Sequence, residues 1–312
     1  MTEKSKEVSG KTSAVIGRLA ILGVGLMGGS LASALREKGL VEHVIGWGRN
    51  PDNLETAQRR GVIDSWSLDL SEAVDSADIV VVATPTQFAE TLMVDVLRQV
   101  GPETLVTDVA SVKANLLAAL HAAFGEVPQN VVLGHPIAGS EKSGIDAVDK
   151  TLYQRHKVIL IRGGREQATQ RVAAMWNSVG AEVSLMSAEQ HDAVLALTSH
   201  MPHLLSYALV SQIAQSDLEE DVFAYAAGGL RDFSRVAGSD SVMWAEILLA
   251  NKDRVIEAMQ QYDQQLQALK DALLADDRSR LESTFAFARE HRNRFANAYA
   301  VRVASRKASE EK

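Results

Sequence analysis

Apolar residues follow two different patterns along the chain, and the change falls near residue 183. In the first half, short apolar runs alternate with helical patterns such as GSLASALREKG and SVKANLLAALHAAFG. The runs are continuous rather than alternating, which is typical of strands covered on both faces. They are RLAIL, HVIGW, ADIVVVATP, TLVTDVAS, NVVLGHP and KVILIRGG. This alternation predicts an α/β domain with a doubly wound parallel sheet of Rossmann type.

After residue 183 no run typical of a strand follows. Ser187 followed by Gln190 indicates a capping box at the start of a long helix, and helical patterns continue to about Val303. The main predicted interruption is the segment GGLRDFSRVAGSDSVMW. We therefore expect a disordered leader at residues 1–15, the α/β domain at 16–183, an all-helical domain at 184–303 and a charged tail at 304–312.

The segment ILGVGLMGGS holds three glycines in the G-x-G-x-x-G spacing, between an apolar run and a helical pattern. In that context Gly23 permits a tight turn, Gly25 lets a pyrophosphate approach the backbone, and Gly28 allows close packing of helix and strand. The position at the start of a βαβ unit favours dinucleotide binding over a plain glycine turn. The predicted cofactor-binding residues are Gly23, Gly25, Leu26, Met27, Gly28, Arg49 and Thr84.

The second apolar run ends in GWGRNPD, where a carboxylate that binds the ribose hydroxyls of NAD is usually found. Gly48 occupies that place and Arg49 follows it. A guanidinium without a neighbouring carboxylate suits the 2′-phosphate of NADP. An Arg49 that is solvated and stacks on the adenine is an equally good interpretation. We expect NAD or NADP as the cofactor, with NADP at least tolerated.

Polar side chains follow two of the predicted strands, at the sheet edge where open α/β proteins bind ligands. Asp108, Ser111 and Lys113 come directly after one apolar run, and His135 ends the next. Ser111 is suited to hydrogen-bond a substrate or a base, and it is also a candidate helix N-cap. Histidine acts as a base near neutral pH without extreme tuning, so we interpret His135 as the catalytic candidate.

The segment SHMPHLL places His200 and His203 three residues apart, on one face of a helix. A metal site needs further ligands at suitable spacing, and none is compelling, so no metal is predicted. Pro202 removes a backbone hydrogen bond and is expected to kink the helix, which would aim the histidines at a cleft. The alternative is that they satisfy buried polar groups.

Two arginines lie in the predicted interruption of the helical region. Arg231 and Arg235 flank Asp232 there, and either arginine is suited to hold a carboxylate in a two-point fork. The alternative is a surface ion pair with Asp232 or Asp240.

Composition narrows the class of protein. The 312 residues carry a formal net charge of −8, which argues against a general nucleic-acid binder. The absence of cysteine excludes disulfides and thiolate chemistry. No apolar run approaches the roughly 18–20 residues of a membrane-spanning helix, and the polar start lacks the apolar core of a signal peptide. We expect a cytoplasmic protein that has neither nucleic-acid nor membrane partners.

Five motifs together resemble the prephenate/arogenate (cyclohexadienyl) dehydrogenase family of tyrosine biosynthesis. They are GVGLMGGS, DVASVK, GHPIAGSEKSG, LTSHMPHLLSYAL and GGLRDFSRVAGSDSVMW, in the order and spacing of that family. The resemblance extends from about Ile16 to Val303, and the combination of histidine motifs is specific among Rossmann dehydrogenases. It implies NAD(P)-dependent oxidative decarboxylation of prephenate to 4-hydroxyphenylpyruvate, or of arogenate to tyrosine.

The resemblance also implies roles for residues. His135 accepts a hydrogen bond from the ring hydroxyl and takes its proton as hydride leaves for the nicotinamide, with Ser111 orienting both. Arg235 binds a substrate carboxylate. The residues implied to line the same pocket are Ser140, Glu141, His200 and His203. The chemistry agrees, because hydride loss builds positive charge that a base relieves, and the main task left is to position two reactants.

Two other functions remain open from the residues. A β-hydroxyacid dehydrogenase shares this domain order but usually depends on a lysine in the helical half, for which Lys252 is the candidate. A non-enzymatic NAD(P)-binding sensor is expected to have lost residues such as Ser111, His135 and Arg235, which are present. We expect a monofunctional enzyme for a small-molecule substrate. We also expect a homodimer through the helical domain, because that domain is too thin to bury all its apolar faces alone.

Overall fold

The computed structural model describes residues 15–139 and 142–308. The predicted leader therefore lies outside the described residues except for Val15. Ser140, Glu141 and residues 309–312 also lie outside them.

The first part of the chain forms a six-stranded sheet in the order β3-β2-β1-β4-β5-β6, in which all neighbouring strands are parallel. This order confirms the predicted doubly wound sheet of Rossmann type. It also places the reversal of strand order between β1 and β4, where such sheets bind their ligands. The strands are β1 (Ile16–Leu22), β2 (Val41–Trp47), β3 (Ser65–Ser67), β4 (Ile79–Val82), β5 (Leu105–Asp108) and β6 (Val131–Val132).

Both faces of the sheet are buried, as the continuous apolar runs predict. Leu19 and Ile21 of β1 pack into one apolar cluster. The alternate residues Ala20 and Leu22 pack into a second cluster. The helices of this region are α1 (Leu26–Glu37), α2 (Pro51–Arg59), α3 (Leu70–Val74), α4 (Thr86–Leu97), α5 (Ala114–Phe124) and α6 (Glu166–Ser178).

A second sheet of three strands was not predicted, and it carries His135. It consists of β7 (Gly134–Pro136), β8 (Lys157–Ile161) and β9 (Glu182–Met186), with β7 antiparallel to β8. The expectation of one parallel strand over NVVLGHP is therefore wrong, because the chain leaves the first sheet after β6. His135 lies in the middle of β7, opposite Ile159, rather than at a strand end.

The rest of the described chain is helical, as predicted, and Ser187 caps its first helix by accepting a hydrogen bond from the N–H of Gln190 at 3.1 Å. The predicted interruption is wrong in part, because GGLRDFS is a helix and RVAG is a 3₁₀ turn, Arg235–Gly238. A π-helical turn, Ala196–His200, precedes Pro202. The helices are α7 (Ala188–Leu195), α8 (Met201–Ala214), α9 (Glu219–Tyr225), α10 (Gly228–Ser234), α11 (Ser241–Ala250), α12 (Lys252–Leu274) and α13 (Arg278–Ala308).

The chain divides into two compact units, one that ends at Val255 and one that begins at Ile256. Helix α13 continues to Ala308, beyond the predicted end of the helical domain at Val303.

The helical run Ala188–Ala214 is long and apolar enough to cross a membrane by length and composition alone. This finding corrects the expectation that no segment approaches such a length. Core helices of soluble proteins pass the same test, and this run contains Asp192, whose side chain bonds to the start of α5.

Candidate active site

The turn between β1 and α1 has the geometry that the glycine motif predicts. Gly23 has φ +105°, and a Cβ there would lie 2.6 Å from the carbonyl oxygen of Ala83. A Cβ on Gly28 would lie 2.5 Å from the carbonyl oxygen of Gly23, so this glycine lets α1 approach the sheet. Gly25 differs, because a Cβ there would meet nothing closer than the Cα of Gly144 at 3.9 Å. The backbone of Gly25 is therefore open to a ligand.

A cavity of about 530 Å³ lies beyond this turn. Gly23, Gly25, Gly48, Arg49, Thr84 and Phe88 are among the residues that line it. Leu26, Met27 and Gly28 are not among its lining residues; they form the first turn of α1, whose N–H groups have no partner within the helix. The side-chain oxygen of Thr84 is buried without a hydrogen-bond partner among the described residues. An unpaired hydroxyl, an open glycine and a helix N-terminus fit a dinucleotide cofactor.

Arg49 lies in the wall of this cavity, and its guanidinium carbon is 4.4 Å from the centre of the Phe88 ring. This cation–π contact holds the arginine at the end of β2. Gly48 leaves space beside it, because a Cβ there would meet only Leu54 atoms at 3.7 Å or more. No carboxylate therefore occupies the position that usually binds the ribose hydroxyls.

A buried ion pair at the end of β5 fixes the backbone next to His135. Asp108 and Lys113 have no exposed surface, and the ammonium of Lys113 bonds to the carboxylate of Asp108. The same carboxylate accepts the N–H of Gly134 at 3.0 Å, and Lys113 donates to the carbonyl oxygen of Gly134 at 2.7 Å. A Cβ on Gly134 would lie 3.1 Å from the backbone oxygen of Asp108, so a glycine allows this close approach.

His135 is the first member of a buried chain of polar side chains. Its Nδ1 lies 2.8 Å from Nε2 of His191, and the two rings meet edge to face. Nδ1 of His191 lies 2.7 Å from a carboxylate oxygen of Asp192. That carboxylate also accepts the N–H groups of Lys113 at 3.0 Å and of Ala114 at 2.8 Å, at the start of α5.

Burial determines the charge state of this cluster. It lowers the pKa of His135 well below the ordinary value of 6.5, and electrostatic interactions with His191, Lys113 and His200 act in the same direction. Burial also lowers the pKa of His191, against the opposing effect of its bond to Asp192. Burial acts to raise the pKa of Asp192, but hydrogen bonds from His191 and from backbone N–H groups outweigh it and lower the pKa. At neutral pH both histidines are therefore neutral and Asp192 is a carboxylate.

His200 belongs to the same buried region. The side-chain amide of Asn251 donates to its Nδ1 at 3.0 Å and to the backbone oxygen of Asp192 at 2.9 Å. Burial lowers the pKa of His200 to about 4. Since Nδ1 accepts a bond, the ring proton of neutral His200 lies on Nε2.

His203, three residues further on, stacks on the indole of Trp244 with a ring-centre distance of 3.4 Å. Its Nδ1 donates to the carbonyl oxygen of Ser199 at 2.9 Å. Burial lowers the pKa of His203, and the charge of Arg235 contributes in the same direction. The 3₁₀ turn that begins at Arg235 packs against α8, the helix that carries His203. The described residues hold no group of side chains able to bind a metal ion.

The remaining predicted residues stand as follows. Ser111 lies between β5 and α5, half-buried, and no hydrogen bond joins it to His135 among the described residues. It is not the N-cap of α5, because Lys113 occupies that position and the Asp192 carboxylate binds the N–H groups there. Arg231 pairs with Asp232 at 3.0 Å on the surface, as the alternative interpretation had it. Ser140 and Glu141 lie outside the described residues.

Sequence reasoning missed His191, Asp192 and Asn251, which connect the site, and Phe88, which holds Arg49. The only local signal was the dipeptide His-Asp in the turn after the Ser187 cap. Nothing near it in sequence indicates contact with a strand 56 residues earlier.

Two family models match consecutive parts of the chain. One, described as the nucleotide-binding domain of prephenate dehydrogenase, matches residues 31–185. The other, described as the dimerization domain of prephenate dehydrogenase, matches residues 187–287.

Individual proteins give the same result. A cyclohexadienyl dehydrogenase of Zymomonas mobilis is 30% identical over 84% of this chain and 90% of its own length. A prephenate dehydrogenase of Bacillus subtilis is 30% identical over 88% of this chain and 75% of its own length. The crystal structure of the Aquifex aeolicus prephenate dehydrogenase with hydroxyphenyl propionate and NAD⁺ is 33% identical. It superposes with a TM-score of 0.84, over 91% of this chain and 100% of that one.

Proposed function

The chain belongs to the prephenate dehydrogenase family, and from that premise we propose that it converts prephenate to 4-hydroxyphenylpyruvate by NAD(P)-dependent oxidative decarboxylation. It is an oxidoreductase that acts on a small molecule. One observation carries the proposal. A neutral, buried histidine, His135, lies in β7, and the residue before it bonds to Asp108 at the end of β5. Strand β5 pairs with β4, the strand that ends at the dinucleotide cavity.

In the proposed reaction, the residues of this chain supply the base and orient the two reactants. A bound nicotinamide would supply the acceptor for the hydride that leaves the ring carbon carrying the hydroxyl group. His135 accepts the hydroxyl proton as that carbon becomes a carbonyl carbon. Loss of the ring carboxylate as carbon dioxide makes the ring aromatic, and the oxygen regains its proton as a phenol. The protein supplies the base and the orientation of both reactants, which is where its contribution to the rate is expected.

Substrate recognition is assigned to residues near His135. Arg235 is proposed to hold a carboxylate of the substrate, and its position near His203 supports this role. His200 offers an Nε2–H donor. Ser111, Ser140 and Glu141 are proposed to complete the pocket. Arogenate, which differs in its side chain, is the second candidate substrate, since one relative is a cyclohexadienyl dehydrogenase.

The cofactor is a nicotinamide dinucleotide, held by the turn at Gly23 and Gly25 and by Thr84. We propose that the site accepts NADP as well as NAD. The absence of a carboxylate at Gly48 and the guanidinium of Arg49 in the cavity wall support this proposal.

The enzyme is proposed to be a cytoplasmic homodimer. The helical part matches a dimerization domain, and it carries many exposed apolar side chains. Those on α12 and α13 are Ile256, Tyr262, Leu266, Leu273, Leu274, Phe285, Phe287, Phe295 and Tyr299. The alternative of a β-hydroxyacid dehydrogenase finds no support in Lys252, which is exposed at the start of α12.

The test is NAD(P)H formation in a matrix of prephenate or arogenate with NAD or NADP. We expect turnover with prephenate. His135→Asn is expected to lower kcat by about 10²–10⁴-fold, the contribution of a general base, without weakening cofactor binding. The exposed His121→Asn serves as the matched control. No turnover in any combination, or full turnover by the His135 variant, would contradict the proposal.

A further inference from the structure

The order of donors and acceptors along His135, His191 and Asp192 determines where each ring proton lies. Asp192 is ionised and accepts only, so Nδ1 of His191 must donate to it across 2.7 Å. A neutral His191 then has its lone pair on Nε2. The 2.8 Å contact from that atom to Nδ1 of His135 holds one proton, which belongs to His135. Nε2 of His135 is thus left with a lone pair.

This arrangement is opposite to the preference of a free histidine side chain, whose neutral form favours the proton on Nε2. A His135 without its partner would therefore tend to present an N–H to the substrate hydroxyl group, and an N–H accepts no proton. The hydrogen bonds along His135, His191 and Asp192 therefore determine whether Nε2 of His135 accepts a proton or donates one.

We propose that His191 and Asp192 are positioning residues, which hold His135 in the tautomer with its proton on Nδ1 and its accepting lone pair on Nε2. The proposal rests on the proposed function, in which His135 takes the hydroxyl proton. Neither residue contacts the substrate in this proposal; both act through His135. The arrangement follows the logic of the Ser-His-Asp triad, in which a buried carboxylate fixes the tautomer of the base.

Asp192, at the end of this row of polar side chains, is held in a fixed position. The Asp192 carboxylate binds the N–H groups of Lys113 and Ala114, which are fixed in the first turn of α5. Its backbone oxygen accepts the amide of Asn251. Lys113 in turn binds Asp108 and the carbonyl oxygen of Gly134, the residue before His135. Both ends of the polar chain are thus connected to the same buried ion pair, which limits the freedom of the His135 ring.

The first test needs no substrate and no variant. Nitrogen-15 NMR of the histidine rings in the full-length wild-type protein reports which nitrogen carries the proton in each ring. We expect His135 and His191 both to carry it on Nδ1, and His200 to carry it on Nε2. A proton on Nε2 of neutral His135 would overturn the proposal.

The second test compares two variants of similar side-chain length. His191→Gln retains an oxygen that accepts the Nδ1–H of His135, whereas His191→Met retains the bulk without an acceptor. We expect His191→Met to lower kcat by at least about tenfold, towards the 10²–10⁴-fold that a whole general base contributes. KM for prephenate and for the cofactor should stay within about threefold, and His191→Gln should recover most of kcat.

The outcomes separate this proposal from the proposed function. Equal kcat values for the Met and Gln variants would show that the acceptor is irrelevant and would overturn the positioning role. Absence of prephenate turnover in the wild type would overturn the proposed function, while the tautomer measurement would still decide the arrangement of the rings. If His191→Met fails to fold, the wild-type spectrum alone remains decisive.

Discussion

At the scale of single residues, His135 is buried next to His191, Lys113 and His200, three groups that disfavour a second positive charge beside them. Burial is the main cause that lowers the pKa of His135 well below 6.5, and these three neighbours add to it. Since the neutral ring is the active form, kcat/KM should stay constant as the pH falls through 6.5 and decline only below it. A profile of kcat/KM for prephenate against pH tests this. An acid limb centred at 6.5 or above would contradict it.

Cofactor selection also depends on single residues. Gly48→Asp introduces the carboxylate that the end of β2 lacks, at a position where a Cβ fits without a close contact. We expect kcat/KM for NADP to fall at least about tenfold relative to NAD, about 1.4 kcal/mol, because the carboxylate repels a 2′-phosphate and binds ribose hydroxyls. Gly48→Ala is the uncharged control. Parallel losses in the two variants would mean that bulk, rather than charge, determines the effect.

The sequence predicted the residues of this site unevenly, for a physical reason. Asp108 and His135 were proposed because ligand sites in open α/β sheets follow the ends of strands, which apolar runs reveal, although His135 lies within β7. His191 and Asp192 were not found, because their role depends on α7 packing beside β7. That contact joins residues 56 positions apart and leaves no local pattern. Arg49 was proposed and lines the cavity, but its contact with Phe88 was not predicted.

At the scale of elements, the turn between β1 and α1 separates two uses of glycine. Gly23→Ala combines a backbone of φ +105° with a Cβ at 2.6 Å from the Ala83 oxygen. We expect it to lower the free energy of unfolding by about 1–3 kcal/mol, which denaturant titration measures. Gly25→Ala has space for its Cβ and should change stability by no more than about 0.5 kcal/mol.

The Gly23→Ala and Gly25→Ala variants also distinguish an effect on stability from an effect on cofactor binding. Because the Gly25 backbone lines the cavity, Gly25→Ala should weaken dinucleotide binding at least about tenfold, as calorimetric titration would record. Gly101→Ala, with nothing within 4 Å of its Cβ, is the control for stability and binding. Unchanged affinity in the Gly25 variant would mean that the cofactor does not approach this turn.

The sequence predicted the strands and helices that show a hydrophobic pattern. It did not predict those whose form depends on strand pairing or on steric effects. The runs of β1, β2, β4 and β5 are apolar because both faces are covered. Strand β3, SWS, is too short and polar to be recognised. The antiparallel β7 depends on its pairing with β8, which no periodicity encodes. The π-helical turn Ala196–His200 lies before Pro202, where a missing N–H disturbs the helical ladder, so a kink was foreseeable but its form was not.

At the scale of the whole molecule, the second half of a single copy leaves many apolar side chains exposed to solvent. Leu274 and Phe287 are 76% and 66% exposed, and both lie in the part that matches a dimerization domain. Large apolar residues that cluster in one region of a surface are typical of interfaces between subunits. By contrast, the first half carries few such residues outside its cavity, and Leu68 is one of them.

This contrast supplies the test of the dimer. Leu274→Glu combined with Phe287→Glu places two carboxylates where a second copy would exclude water, since charged residues are depleted from interface cores. We expect the wild type to sediment with twice the mass of one chain, and the double variant to raise the dissociation constant of the dimer at least about 100-fold, about 2.7 kcal/mol. Leu68→Glu, with similar chemistry in the nucleotide-binding half, should leave the dimer intact. A wild type that is monomeric at micromolar concentration would refute the homodimer. A double variant as dimeric as the wild type would move the interface away from α12 and α13.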